Sequence, residues 1–173
     1  MTSQENDPVS AAMNDMVDSI LPAEAGSAEI KKILVPVDFS DSSKAALAQA
    51  QPLAKAFNAE LDLVYVDEHN YGEIASFGPM DVDLFKAQAA KENTKRLSAV
   101  AERLQELGFK STAVVKTGRA PLVIAELAKE MGTDLIVIAT HGHTGLQHLV
   151  LGSTAENVVR HAPCPVLTVR AAG

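Results

Sequence analysis

The stretch KKILVPVDFSDSSKAALAQAQPLAKAFNAELDLVYV, residues 31–66, decides the fold. Ile33 to Val37 is a short run of branched apolar residues, of the length and composition that a buried strand favours. Ser40 and Asp41 follow as helix-capping candidates, and Ala46, Leu47, Ala50, Leu53, Ala54 and Phe57 then recur at helical spacing. Leu61 to Val66 returns to the strand pattern. Strand, helix and strand in succession form a crossover unit, which joins parallel neighbours through a helix laid on the sheet.

The same alternation runs to the end of the chain. A turn-rich connection, Asp67 to Pro79, leads to a long helix with Phe85, Ala89, Leu97, Val100, Ala101, Leu104 and Leu107, closed by Gly108. Thr112 to Val115 reads as the third strand, Pro121 to Met131 as the third helix and Leu135 to Ala139 as the fourth strand. Ser153 to Arg160 and Val166 to Val169 supply the fourth helix and fifth strand. Strands that are mostly continuous apolar runs are buried on both faces. The expected architecture is therefore a doubly wound, Rossmann-like α/β fold, with a five-stranded parallel sheet of order 3-2-1-4-5 and helices on both faces. Ligands of such sheets lie outside the carboxyl ends of the strands, which singles out the loops after Val37, Val66, Val115 and Ala139.

At 173 residues, 47% hydrophobic and 21% charged, the chain has enough apolar surface for one core without disulfides or a structural metal. Its one cysteine, Cys164, makes no internal disulfide and reads as packing, so a reduced cytoplasmic setting is expected. No run approaches the roughly 20 apolar residues of a membrane span, and MTSQENDPVS lacks the features of an export signal. A net charge of -7 with 4% aromatic residues argues against nucleic acid as a partner. Residues 1–30 hold Glu5, Asp7, Asp15, Asp18, Glu24 and Glu29 and no Lys or Arg, so all but one unit of the net charge belongs to this segment. It reads as an acidic, largely disordered tail ahead of an α/β domain over 31–173. Val9, Met13, Met16, Val17, Ile20 and Leu21 recur at helical spacing, which allows a short amphipathic helix over 9–21 that docks on a protein partner.

The chemistry concentrates after the fourth strand. Ala139-Thr140-His141-Gly142-His143-Thr144-Gly145 is followed by Gly152-Ser153-Thr154 at the start of a helix. Glycines let the backbone approach a ligand closely, and the free amides of a helix N-terminus attract an anion. This combination reads as a phosphate cradle; the alternative is an ordinary loop with Ser153 as helix cap. Neither the P-loop nor the Rossmann glycine pattern is present, and Ser153 lacks the elbow of a serine hydrolase. His141, His143 and His148 cluster in the loop without metal-ligand spacing, so no metal site is assigned to them.

Residues 31–170 resemble the universal stress protein family, a group of adenine-nucleotide-binding α/β domains. The resemblance rests on KKILVPVDFSDSS, LDLVYVDE, the Gly118 to Pro121 turn, DLIVIATHGHTGL and HLVLGSTAENVVRHAPCPVLTV. The nucleotide-binding branch carries a glycine, two residues, a second glycine, nine residues, then Gly with Ser or Thr. Here Gly142 takes the second position and Gly152-Ser153 the last pair, while Ala139 stands where the first glycine would be.

The resemblance implies ATP or AMP as ligand, with Mg2+ held mainly through phosphate oxygens and water. Asp38 would accept a hydrogen bond from adenine or ribose, its alternative role being to cap the next helix beside Ser40 and Asp41. Val66 would form an apolar adenine wall, and Gly142, Gly152, Ser153 and Thr154 would hold phosphates. Pro36, Val37, Ile138 and Ala139, at the strand ends, complete the implied site. Pro36 donates no hydrogen bond, which suits a strand end where pairing opens around a ligand. Arg119 reads as a solvated turn residue, so phosphoryl transfer lacks a cation and the expectation is a binder rather than a fast enzyme. A homodimer through Val166, Leu167, Thr168 and Val169 at the sheet edge is also implied. The open readings are a nucleotide-regulated stress-response protein, a nucleotide-free dimeric interaction module in which Ala139 closes the pocket, and a slow ATP hydrolase.

Overall fold

A computed structural model describes residues 8–20, 29–69, 81–140 and 151–170. The elements in chain order are α1 (Pro8–Ile20), β1 (Lys32–Pro36), α2 (Asp41–Phe57), β2 (Glu60–Asp67), α3 (Val82–Glu106), β3 (Ser111–Thr117), α4 (Ala120–Met131), β4 (Leu135–Ala139), α5 (Ser153–His161) and β5 (Val166–Val169). All strand pairs are parallel and the sheet order is β3-β2-β1-β4-β5, as expected for the doubly wound fold.

Alternate residues of the strands point to opposite faces. On one face Ile33, Val35, Leu61 and Leu63 pack with Ala46, Ala50 and Ala54 of α2 and Leu97, Ala101 and Leu104 of α3. On the other, Leu34, Val64, Ile136 and Ile138 meet Ile124, Leu127 and Ala128 of α4 and Ala155 and Val158 of α5. The small residues of α2 let that helix lie close to the sheet centre. Ser40 starts it by accepting the Ser43 amide at 3.1 Å, and Asn58, left-handed at φ 53°, ends it.

Differences from the sequence reading lie at element ends. β1 starts and stops one residue early, with Val37 still donating to the Val64 carbonyl at 2.8 Å. β2 reaches Asp67 and β3 reaches Thr117, because Lys116 and Thr117 continue the ladder against Val66 and Asp67 although both are exposed and polar. The tail helix begins at Pro8, where a proline's missing N–H costs nothing in a first turn, and Leu21 lies outside the described residues. Met13, Met16, Val17 and Ile20 of α1 are all exposed. The rest of the tail, 1–7 and 21–28, also lies outside the described residues.

Candidate nucleotide-binding cleft

The registered pairs of β1 and β4 end at Leu34 and Ile136, whereas β1 continues against β2 as far as Pro36 and Val64. Backbone N–H direction alternates along a strand, and that of Val37 faces β2. Position 36 therefore turns toward β4, on the side where pairing has stopped, and a proline there forfeits no ladder bond. β1 and β4 part at the point where the strand order reverses.

The opening is a cleft of about 600 Å3, within the range of roughly 300–1,000 Å3 typical of small-molecule sites. It brings together Pro36, Val37, Asp38, Val66, Ile138, Ala139, Gly152, Ser153 and Thr154. Gly142, with His141, His143 and His148, lies outside the described residues.

One end of the cleft is the start of α5. Gly152 is its N-cap, at φ -70° and ψ 153°, and so caps the first-turn amides with no side chain of its own. Those amides and the helix dipole lie at the cleft, and Gly152 offers them no side-chain acceptor, which is the arrangement an anion uses. Gly152 N–H donates to the Thr140 carbonyl at 2.7 Å, and Thr140 N–H donates to the Val169 carbonyl at 2.8 Å, so both ends of the intervening loop are pinned to the sheet.

At the other end Asp38 follows β1. Its Oδ1 accepts the Ser40 amide at 3.0 Å and the Ser40 hydroxyl at 2.5 Å, while Ser40 caps α2. The capping and cleft-facing roles of Asp38 thus coexist: it braces the cap and lines the cleft. Val66 and Ile138 supply apolar surface between the two ends.

Several lining residues carry no signal in the sequence that would single them out. Phe39, Tyr65 and Arg96 form a stack, with ring centroids 5.3 Å apart and the Arg96 guanidinium carbon 3.9 Å from the Phe39 centroid. Burial raises the Tyr65 hydroxyl above its ordinary pKa, Asp67 and Asp38 push the same way, and Arg96 opposes them. Glu68 and His69 follow β2, and Glu68 Oε1 accepts the Ala120 amide at 2.7 Å while buried Asp67 contacts His69 Nδ1 at 2.5 Å. Topology points to the loop after Val66, but nothing in its local pattern distinguishes these two side chains. Arg119 is the exposed N-cap residue of α4 and is not part of the cleft lining. Among the described residues no group of three His, Cys, Asp or Glu is placed to hold a metal ion, and no helix is long and apolar enough to cross a membrane.

The model of the universal stress protein family matches residues 29–170, which is all of the sheet and the helices packed on it. The chain belongs to the universal stress protein family. Universal stress protein MJ0531 of Methanocaldococcus jannaschii is 36% identical over 141 residues, covering 81% of this chain and 82% of that protein. The structure of protein MJ0577 from the same organism superposes with a TM-score of 0.71 at 29% identity, covering 84% of this chain and 99% of the other. A universal stress protein solved in complex with cAMP superposes with a TM-score of 0.62 at 25% identity, covering 83% and 99%.

Proposed function

We propose that this universal stress protein is a stress-response regulator that binds an adenine nucleotide, ATP or AMP, and changes its dimerisation or partner binding with nucleotide state. The observation that carries the reading is the cleft between β1 and β4, with a helix N-terminus open to an anion at one end and Asp38 at the other. Adenine would lie against Val66 and Ile138, with Asp38 accepting from adenine or ribose. Gly152, Ser153 and Thr154 would hold the phosphates through amides and hydroxyls, with Gly142 in the connecting loop, and any Mg2+ would ride on phosphate oxygens and water. The cAMP complex of a relative supports the ligand class.

Among the described lining residues the phosphate end offers amides and hydroxyls, and the guanidinium, Arg96, stands over Phe39. That distribution favours a binder over an ATP hydrolase, since phosphoryl transfer needs positive charge on the transferring group. β5 is the edge of the sheet, with Leu167 and Thr168 exposed, and is the proposed homodimer contact through Val166 to Val169. We assign the stress protein domain to 31–173 and a partner-seeking role to the acidic tail, in a cytoplasmic setting.

Denaturing the purified protein and identifying any released nucleotide tests the proposal, followed by titration of the apo form with ATP and AMP beside Gly152→Val. Gly152 has an ordinary φ, so valine is tolerated by the backbone and acts by filling the approach to the α5 amides. Binding lost in that variant supports the cradle. Correctly folded apo protein that binds neither nucleotide, with or without Mg2+, sinks the reading and leaves the nucleotide-free interaction module.

A further inference from the structure

Phe39 occupies a conformation that its side chain disfavours. Its φ is 65°, in the left-handed region, where a bulky aromatic residue is a genuine outlier and persists only if its surroundings hold it. Among the described residues the other non-glycine residue with positive φ, Asn58, ends a helix and is of the type that tolerates it. Phe39 packs against the core, and two ring contacts hold it further: its ring stacks on Tyr65 of β2 with centroids 5.3 Å apart at 30°, and the guanidinium carbon of Arg96, from α3, stands 3.9 Å from its centroid. Two separate elements, β2 and α3, therefore converge on one strained residue, and all three side chains line the cleft.

The strain has a local product. With Phe39 left-handed, the chain reverses so that the Ser40 N–H and hydroxyl both reach Asp38 Oδ1, at 3.0 and 2.5 Å. If Phe39 relaxed to the ordinary α or β region, the Ser40 amide would turn away and the Asp38 carboxylate would lose the Ser40 bonds at the cleft wall. Aromatic stacking and a cation over a ring face together are of the magnitude needed to offset such strain.

We propose that Phe39 is a positioning residue, clamped in its left-handed turn by Tyr65 and Arg96, and that this clamp presents Asp38 to the adenosine end of the ligand. Arg96 acts through the Phe39 ring, not by touching the nucleotide. The proposal rests on the adenine-nucleotide reading of the cleft.

The test is ATP titration calorimetry on the full chain for wild type, Phe39→Gly, Phe39→Ala, Arg96→Met and the double variant Phe39→Gly with Arg96→Met, each checked for folding by its melting curve. Glycine adopts positive φ without strain but without restraint; alanine has neither the freedom nor the clamp. Affinity should fall from wild type to Phe39→Gly to Phe39→Ala, with Phe39→Ala about tenfold weaker than wild type and Arg96→Met roughly fivefold weaker, the size of losing one restraint. Added to Phe39→Gly, Arg96→Met should cost nothing further, because its route of action is gone. Amide exchange at Ser40, read without nucleotide, should speed up in Arg96→Met and Phe39→Ala. If Phe39→Ala fails to fold, the Arg96 cycle still decides.

An Arg96→Met effect that survives in the double variant means a direct ligand contact and overturns the proposal. Phe39→Ala binding as well as Phe39→Gly, or unmoved affinities throughout, overturns it too. Wild type that binds no nucleotide removes the parent reading and this one with it; wild type that binds while the variants match it removes this one alone.

Discussion

The Asp134 carboxylate accepts the backbone N–H of Lys32 at 2.9 Å, tying the first residue of β1 to the turn that leads into β4. The same oxygen takes the Lys31 N–H at 2.8 Å, and the Lys32 ammonium reaches the Met131 carbonyl at the end of α4 at 3.0 Å. One side chain thus satisfies two donors at the amino end of the sheet, opposite the cleft. Asp134→Ala removes both bonds, leaving the Lys31 amide to water and the part-buried Lys32 amide less well satisfied, and should cost about 1–3 kcal/mol in urea unfolding, while Asp134→Asn, which keeps an acceptor, should cost less. ATP affinity should not change in either variant. A loss of affinity without a loss of stability would show that this end of the sheet is coupled to the cleft.

α4 has no side-chain cap of its own: Arg119 offers none, and Pro121 sits in the first turn. Glu68, arriving from the end of β2, accepts the Ala120 amide at 2.7 Å and places a negative charge at the helix N-terminus. Glu68→Ala should lose about 0.5–2 kcal/mol, the usual value of a cap, and Glu68→Gln should recover most of it through its remaining acceptor. Equal stability of all three proteins would mean that water caps α4 equally well.

The strand order was legible because it depends on local period and topology. Topology also pointed to the loops after Val37, Val66 and Ala139 that border the cleft, while the choice of single residues there came from the family resemblance. Ile33, Leu34 and Val35 are all fully buried, so β1 reads as an uninterrupted apolar run. The parting of β1 and β4 follows from strand order. The Phe39, Tyr65 and Arg96 stack was not legible, because it joins the loop after β1 to two elements through side-chain reach that no sequence period encodes. The last residues of β3 escaped for a different reason. Lys116 and Thr117 are exposed on an edge strand, so backbone pairing alone defines them.

Asp62 is the other residue whose place a hydrophobicity pattern hides. It lies in the middle of β2, in register with Leu34 and Thr112, and is 1% exposed. Thr112 donates to its Oδ1 at 2.5 Å, but Oδ2 has no hydrogen-bond partner among the described residues. A buried carboxylate with half its acceptor capacity unmet is a cost that the core around it must offset. Asp62→Val, isosteric enough for the site and favoured in strands, should raise stability by about 1–3 kcal/mol; the exposed Thr112 can bond water instead. A lower unfolding midpoint for this variant would assign the carboxylate a structural partner, such as ordered water.

Stability should fall on the alkaline side. Burial raises the Cys164 thiol above its ordinary value of 9.0, with Asp134 adding to the effect, and raises Tyr65 above 10.0. Both groups are neutral when protonated, so each holds its proton more tightly folded than unfolded. Their contribution is complete below the unfolded values and is lost as pH rises through 9 and beyond. Unfolding midpoints measured from about pH 7 to about pH 11 should decline, and Cys164→Ala and Tyr65→Phe should each flatten the decline. An unchanged alkaline slope in the double variant would place the loss elsewhere.

Ala139 carries the remaining prediction, which depends on the nucleotide reading. It stands at the family's first glycine position, at the last residue of β4, half-buried, paired in register with Val169 and lining the cleft. It also packs against the core beside α2, so in the nucleotide reading it is the β4 backbone at this position that the ribose would approach and the side chain that limits how closely. Ala139→Gly should therefore tighten ATP and AMP binding several-fold, at a stability cost of about 0.5–1 kcal/mol for glycine in a strand. Ala139→Val should weaken binding by about tenfold, because two further methyl groups enter the same space and a branched side chain has few rotamers with which to avoid the ligand. Opposite shifts from the two variants are what separates ribose crowding from a general loosening of the strand, since loosening would weaken binding in both. If glycine and alanine bind alike and valine binds no worse, the ribose does not rest on β4, and the sugar must be turned toward the Asp38 side of the cleft.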